Sequence, residues 1–368
     1  MLPDQADTLL LRACLLDTEQ AHESWNAWRA LVGDPKVMLE TESRGLKGML
    51  PLIDAAFRRH GLPGPEGMGI YLKAATLREE LRTRLIAEFL AGAIDALAQD
   101  QVPFTLLGGI VAAYTVYERP SQRHCHAIDL LVSEADRGRT ASVLARAGFS
   151  PLAGSATEFR HTDGLALHLW PDVAVHPHHR APDGGVALRA EPVDVAGRAV
   201  AGACATDRFL MALSRASSTP ERRNLRWACD LRLTAPLVDW PLFLVETARR
   251  RMALPVALLC RHQAQSLDAA IPADVLTQLD ALAAQAGPLD REAALAGALT
   301  GLRATRHAFA APDVDVATRL AICRYVALPS AQCLAWSYGP AGGLKQAMQR
   351  LYRPASYVVS RTRRRLAS

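Results

Sequence analysis

The sequence predicts an α+β fold in which a small mixed sheet sits between an N-terminal and a C-terminal helical region. Three observations carry this. Apolar residues recur at helical spacing through the first hundred positions. Short apolar runs broken by glycine and proline replace that pattern between about 101 and 205, and helical spacing returns from Thr206 onward.

Segments 8–33 and 43–60 read as helices separated by short polar stretches, and His60-Gly61-Leu62-Pro63-Gly64-Pro65 marks a break. In the next helix Leu77, Leu81, Leu85, Phe89, Ala93 and Leu97 recur at every fourth position, and Ile86, Leu90 and Ile94 widen the stripe. Arg78, Glu79, Glu80, Arg82 and Arg84 fill the other face, as on a surface helix packed along one side. Pro103 to Leu107 is a short apolar strand ended by Gly108-Gly109, and Ile110 to Tyr117 suits a helix. After the turn at Arg119-Pro120-Ser121, Ala127 to Val132 reads as a buried strand. Ser133-Glu134-Ala135-Asp136 starts a helix that runs to Ala147 and stops at Gly148; Leu165 to Trp170 and Glu191 to Val200 are further strands. Helices follow over 206–216, 222–234, 239–252, 254–268 and 272–286.

The chain has 368 residues, room for two or three packed units at roughly 100–200 residues each. The boundaries fall as 1–100 (helical), 101–205 (α/β core), 206–343 (helical) and 344–368 (a basic tail). The longest nearly apolar run, Leu106 to Tyr117, contains two glycines and is well short of the ~20 residues of a membrane-spanning helix. The N-terminus begins acidic, with no basic region ahead of an apolar stretch, and so carries no signal-peptide pattern. Seven cysteines are scattered without C-x-x-C spacing and read as reduced, mostly buried thiols, so a cytoplasmic location is expected.

The net charge of +5 is a property of the tail. From Lys345 onward there are seven basic residues and no acidic one, which leaves a nearly neutral body. A basic face with interleaved aromatics is missing, so nucleic acid is not an expected partner. The tail itself is either solvated or a contact for an anionic partner.

The chemistry concentrates on the strand, Gly-Gly, helix, strand sequence. Glycines at the head of a helix let a phosphate approach the backbone closely. Carboxylates at i and i+2 on a strand share one face and can bind the same Mg²⁺. Leu106-Leu107-Gly108-Gly109, then Tyr117, Pro120, Arg123 and Ile128-Asp129-Leu130-Leu131-Val132, resemble the nucleotidyltransferases encoded in bacterial exopolysaccharide and peptide natural-product clusters. These lie within the superfamily of DNA polymerase beta and the kanamycin-type resistance enzymes. The resemblance extends through Ala147-Gly148-Phe149, Leu167-His168, Leu225 to Asp230 and Asp239-Trp240, covering roughly residues 40–280.

The departures from the family pattern bear directly on function. Ala127 stands where the family has the first aspartate of Asp-Ile-Asp, Ala166 where it has the aspartate of Asp-Leu-His, and Gly108 where it has lysine. Only Asp129 remains of three metal carboxylates, and Asp163 and Asp172 lie off the matching strand position.

The resemblance implies Asp129 as the catalytic and metal-binding residue, with Gly108, Gly109, Arg123 and His168 at the nucleotide. It implies a nucleoside triphosphate as partner, a small-molecule or peptide hydroxyl as acceptor, and Mg²⁺ bound weakly or only with nucleotide. The missing carboxylates open a second reading, an inactive fold kept as a binding or scaffold subunit. A third builds different chemistry on histidines. Two clusters invite metal, His124-Cys125-His126 and His176, His178 and His179 with Asp172; the alternative for both is solvated loop histidines. Trp227 and Asp230, at i and i+3 on one face of a helix, read as packing and capping residues, with a substrate-facing role as the alternative.

Overall fold

Thr105, Leu106 and Leu107 are buried apolar or β-branched residues that form β1 (Thr105–Leu107) in the middle of a seven-stranded sheet. The computed structural model describes residues 2–41, 44–152, 155–181, 185–218, 224–299 and 316–338, with Phe309 and Met348. The basic tail, apart from Met348, and the start of the helix expected over 222–234 lie outside the described residues.

The other strands are β2 (Ala127–Leu131), β3 (Phe149–Pro151), β4 (Glu158–His161), β5 (Ala166–Trp170), β6 (Glu191–Val195) and β7 (Arg198–Gly202). Their order across the sheet is β3-β4-β5-β2-β1-β7-β6. β2 runs antiparallel to β1 and parallel to β5, so the sheet is mixed. The strand expected over 191–200 is a hairpin, because Ala196 and Gly197 both take positive φ (+55° and +77°) and reverse the chain. The helix expected from Ser133 begins at Arg137 instead. Ser133 Oγ and Asp136 bond each other and hold the intervening residues in a turn.

Ahead of the sheet stand α1 (Gln5–Leu15), α2 (Thr18–Val32), α3 (Pro35–Thr41), α4 (Arg44–Lys47), α5 (Leu50–His60) and α6 (Met68–Gln99). The stretch expected as one helix over 8–33 is two, since the Asp17 side chain accepts from Gln20 N at 3.0 Å and caps α2. In α6 the every-fourth stripe does not face the core throughout, and Leu77, Leu81 and Leu85 are exposed. A step of four residues overshoots a helical turn by about 40°, so five such steps carry the stripe to the opposite side. Ile86, Leu90, Ala93, Ile94 and Leu97 are the residues buried against the sheet.

Within the core come α7 (Gly108–Thr115) and α8 (Arg137–Arg146). After the sheet follow α9 (Ala205–Ser218), α10 (Arg226–Thr234), α11 (Trp240–Arg249), α12 (Ala253–Leu267), α13 (Ala273–Ala284) and α14 (Pro288–Ala298), then α15 (Val316–Ala327) and α16 (Ala331–Tyr338).

Strand alternation divides the packing. Ile128 and Leu130 on β2 and Leu167 and Leu169 on β5 join α6 in one core. The opposite face, with Leu107, Leu131 and Trp170, meets Met211 of α9 in a second core that also holds Trp25, Trp28 and Cys229. The N- and C-terminal helices therefore share one hydrophobic cluster packed on the Asp129 face of the sheet. Six of the cysteines are buried, all seven are free, and no described helix is long and apolar enough to cross a membrane.

Candidate functional site at the Gly-Gly turn

Between β1 and α7 the chain turns through Gly108 at φ +67°, a left-handed conformation that a side chain strains. A Cβ there would sit 2.7 Å from Asp129 Oδ2, and one at Gly109 would sit 2.8 Å from Arg123 Nη2. The two glycines thus admit protein side chains against the backbone. The cavity beside them, bordered also by Arg208, Met211 and Arg215, measures about 20 Å³, room for about one water.

The register aligns the site face residue by residue. Ala127 pairs with Ala166, Asp129 with His168 and Leu131 with Trp170, all on the same side of adjacent parallel strands. The two alanines lie side by side where the family resemblance implies carboxylates. Asp129 is 3% exposed, and both of its oxygens are taken. Oδ1 accepts from Trp170 Nε1 at 2.8 Å and from His168 Nδ1 at 3.2 Å; Oδ2 accepts from Arg215 Nη2 at 2.7 Å. A carboxylate only accepts, so His168 carries its proton on Nδ1.

The Arg215 guanidinium also lies 5.9 Å from the Trp170 ring centroid, within cation–π range. Burial pushes the Asp129 carboxyl up in pKa, but the Arg215 charge and the bonds from His168 and Arg215 outweigh it and hold the group at about 2. Asp129 is therefore a permanent anion whose countercharge is an arginine.

Arg123 sits beside Gly109 but is turned toward α10. It is buried and bidentate on Asp230 (Nε–Oδ1 2.8 Å, Nη2–Oδ2 2.7 Å), and Tyr117 Oη donates to the same Oδ1 at 2.8 Å. The third guanidinium nitrogen, Nη1, donates to the backbone of His124 at 2.6 Å. The arginine expected at a phosphate is the centre of a buried network pinning the turn before β2 to α10. Asp230, expected as a packing and capping residue, is the network's anion.

Mg²⁺ takes six oxygen ligands in octahedral geometry and gives up its waters reluctantly. The face offers one carboxylate, already engaged by three protein donors, and the described residues contain no group of three or more His, Cys, Asp or Glu side chains placed to hold a metal. The residues present do not fit a two-metal centre. Asp163 is on an exposed turn paired with His161 at 3.1 Å. Asp172 is buried, with Oδ2 on Arg250 Nη1 at 2.5 Å and on Ala181 N at 2.8 Å, so neither can replace the lost groups. His179 of the second histidine cluster bonds Arg250 O at 2.9 Å, a structural contact.

The fold thus brings Gly108, Gly109, Asp129 and His168 together, as the sequence implied, and places Arg123 alongside with a different partner. Trp170 and Arg215 are the site residues that sequence reasoning missed. Trp170 was within reach, being two positions beyond His168 on the same strand face; Arg215 arrives from α9 with no local signal.

A mixed sheet with a Gly-Gly turn facing an aspartate defines a nucleotidyltransferase-type core. Residues 46–285, the larger part of the chain, match the family described as uncharacterised nucleotidyltransferases, and the chain belongs to that family. The solution structure of the antibiotic-resistance factor ANT(2'')-Ia is similar over half of this chain and 99% of its own, at 17% identity and a TM-score of 0.34, a likeness too weak to place any residue. No curated protein matches the chain.

Proposed function

We propose that this chain is a non-transferring member of its family, a nucleotidyltransferase fold that recognises a phosphate-bearing molecule such as a nucleoside triphosphate without using metal. The observation that carries this reading is the Arg215–Asp129 pair. Arg215 supplies, as a fixed side-chain cation, the positive charge that a metal supplies in a transferring site. Guanidinium suits this role because its planar array of donors matches phosphate oxygens. Arg215 and His168 each keep about a third of the side chain exposed (32% and 30%) at the edge of the cluster, so an anionic ligand can meet them from outside the filled Gly-Gly turn. Arg226, whose pKa is lowered to about 10 by burial first and then by the nearby Arg123 and Arg215, adds to the positive field there.

Transfer of a nucleotidyl or phosphoryl group to a hydroxyl of a small molecule or peptide, the activity implied by the family resemblance, needs charge stabilisation that one engaged carboxylate does not provide. Metal assistance contributes several kcal/mol to such transition states, and each ~1.4 kcal/mol is a factor of ten in rate. The test is release of pyrophosphate from each nucleoside triphosphate in the presence of Mg²⁺. The expected result is release at background level. Turnover at an ordinary enzymatic rate that Asp129→Ala abolishes would overturn the proposal.

A further inference from the structure

A cleft of about 490 Å³ opens between α3, α4, α6 and the segment leading into β2. That volume is within the range of small-molecule sites, roughly 300–1,000 Å³. None of its lining residues belongs to the Asp129 cluster. Its lining includes His124 and His126, the histidine pair that the sequence singled out.

Glu79 Oε2, from α6, lies 2.7 Å from His124 Nδ1, and His124 Nε2 lies 3.3 Å from His126 Nδ1, with the two rings edge to face at 4.3 Å. The proton positions follow in sequence. Glu79 can only accept, so His124 carries hydrogen on Nδ1 and, in the neutral ring, presents the Nε2 lone pair. His126 fills that lone pair with its own Nδ1–H, which leaves the His126 Nε2 lone pair for a ligand.

Arg82 Nη2 and Arg226 Nη1 bond the backbone carbonyls of Cys125 and His124 at 3.1 and 2.9 Å and hold the segment in place. Partial burial, then Arg226, His124, Arg82 and Arg123, push the His126 pKa far down, so it is a neutral acceptor. The same surrounding cations oppose a metal dication between the two rings. Glu40, Lys47, Arg78 and Tyr71 also line the cleft.

We propose that this cleft is a second binding site, for a zwitterionic ligand of the amino-acid or short-peptide class whose hydroxyl or amide N–H is received by His126 Nε2. Glu40 takes the ligand's ammonium group, and Lys47 and Arg78 take its carboxylate. Glu79 and His124 are positioning residues that fix the tautomer of His126.

The test is calorimetric titration of the full chain with glycyl-L-serine. Binding is expected, with ethanolamine (no carboxylate) and lactate (no ammonium) weaker by at least about tenfold. His126→Ala should weaken the dipeptide by about tenfold, the worth of one well-made hydrogen bond. His126→Gln, which keeps an acceptor, should restore part of it. Ring ¹⁵N shifts should report Nδ1–H for both histidines, and Glu79→Ala should return His124 to a mixture of tautomers. Dipeptide binding undetectable up to about 10 mM, binding unaffected by His126→Ala, or a His126 protonated on Nε2 would each overturn the proposal.

Discussion

Replacing Arg215 with alanine removes the cation that balances a buried carboxylate, and the size of the effect can be worked from the site. Asp129 falls from an ordinary 3.8 to about 2 in the folded chain, which corresponds to about 2 kcal/mol of stability near neutral pH. The sign follows from the direction of the shift. A depressed carboxyl contributes stability above its unfolded pKa and loses it as pH falls through the folded value, here between about 3.8 and 2. Breaking a fully buried pair costs more, but Arg215 is about a third exposed, and discounting for solvent screening gives a loss of about 1–3 kcal/mol for Arg215→Ala at pH 7.

Urea denaturation at pH 7, 5 and 3 measures it. The gap between native and variant should narrow toward pH 3, where the variant's Asp129 takes up a proton and no longer needs a cation. Adding Asp129→Asn to Arg215→Ala should recover stability, since the amide keeps an acceptor for Trp170 and His168 without a stranded charge. A pH-independent difference below about 0.5 kcal/mol would refute the reasoning.

Four further outcomes are expected. Gly108→Ala, at φ +67° with its Cβ 2.7 Å from Asp129 Oδ2, should cost at least about 1–2 kcal/mol in thermal or urea unfolding. Gly69→Ala, in α6 with nothing within 4 Å, should gain up to about 1 kcal/mol. Asp230→Ala leaves Arg123 buried without its anion and Tyr117 Oη without its acceptor, and should destabilise by about 3–5 kcal/mol, measured the same way. Ala127→Asp with Ala166→Asp puts two carboxylates on register partners beside Asp129 and should raise Mg²⁺ affinity above that of the native chain in calorimetry; equal affinity would mean that the face is not the family's metal position.

Much of the core was legible because its signals are local. Alternation put Ile128 and Leu130 on one face of β2 and Ala127 and Asp129 on the other, and the Gly-Gly dipeptide marked the strand-to-helix turn. The same alternation on β5 contained Trp170, which went unread because the family pattern drew attention to His168. Arg215 and Asp230 are different in kind. They reach Asp129 and Arg123 across separations of 86 and 107 residues, set by how α9 and α10 pack, and no spacing in the chain encodes that. The Leu77-Leu81-Leu85 stripe misled because spacing by four imitates a helix face over two turns and drifts off it over five. β3 and β4 were invisible, being three and four residues long with single buried side chains in each.

The central claim is that Arg215 takes the place of the metal, and titration of ATP into the full chain by calorimetry tests it directly, once with EDTA and once with Mg²⁺. The account predicts binding of similar strength in both, weakened by at least about tenfold in Arg215→Ala. Binding that appears only with Mg²⁺ and survives Arg215→Ala would contradict it.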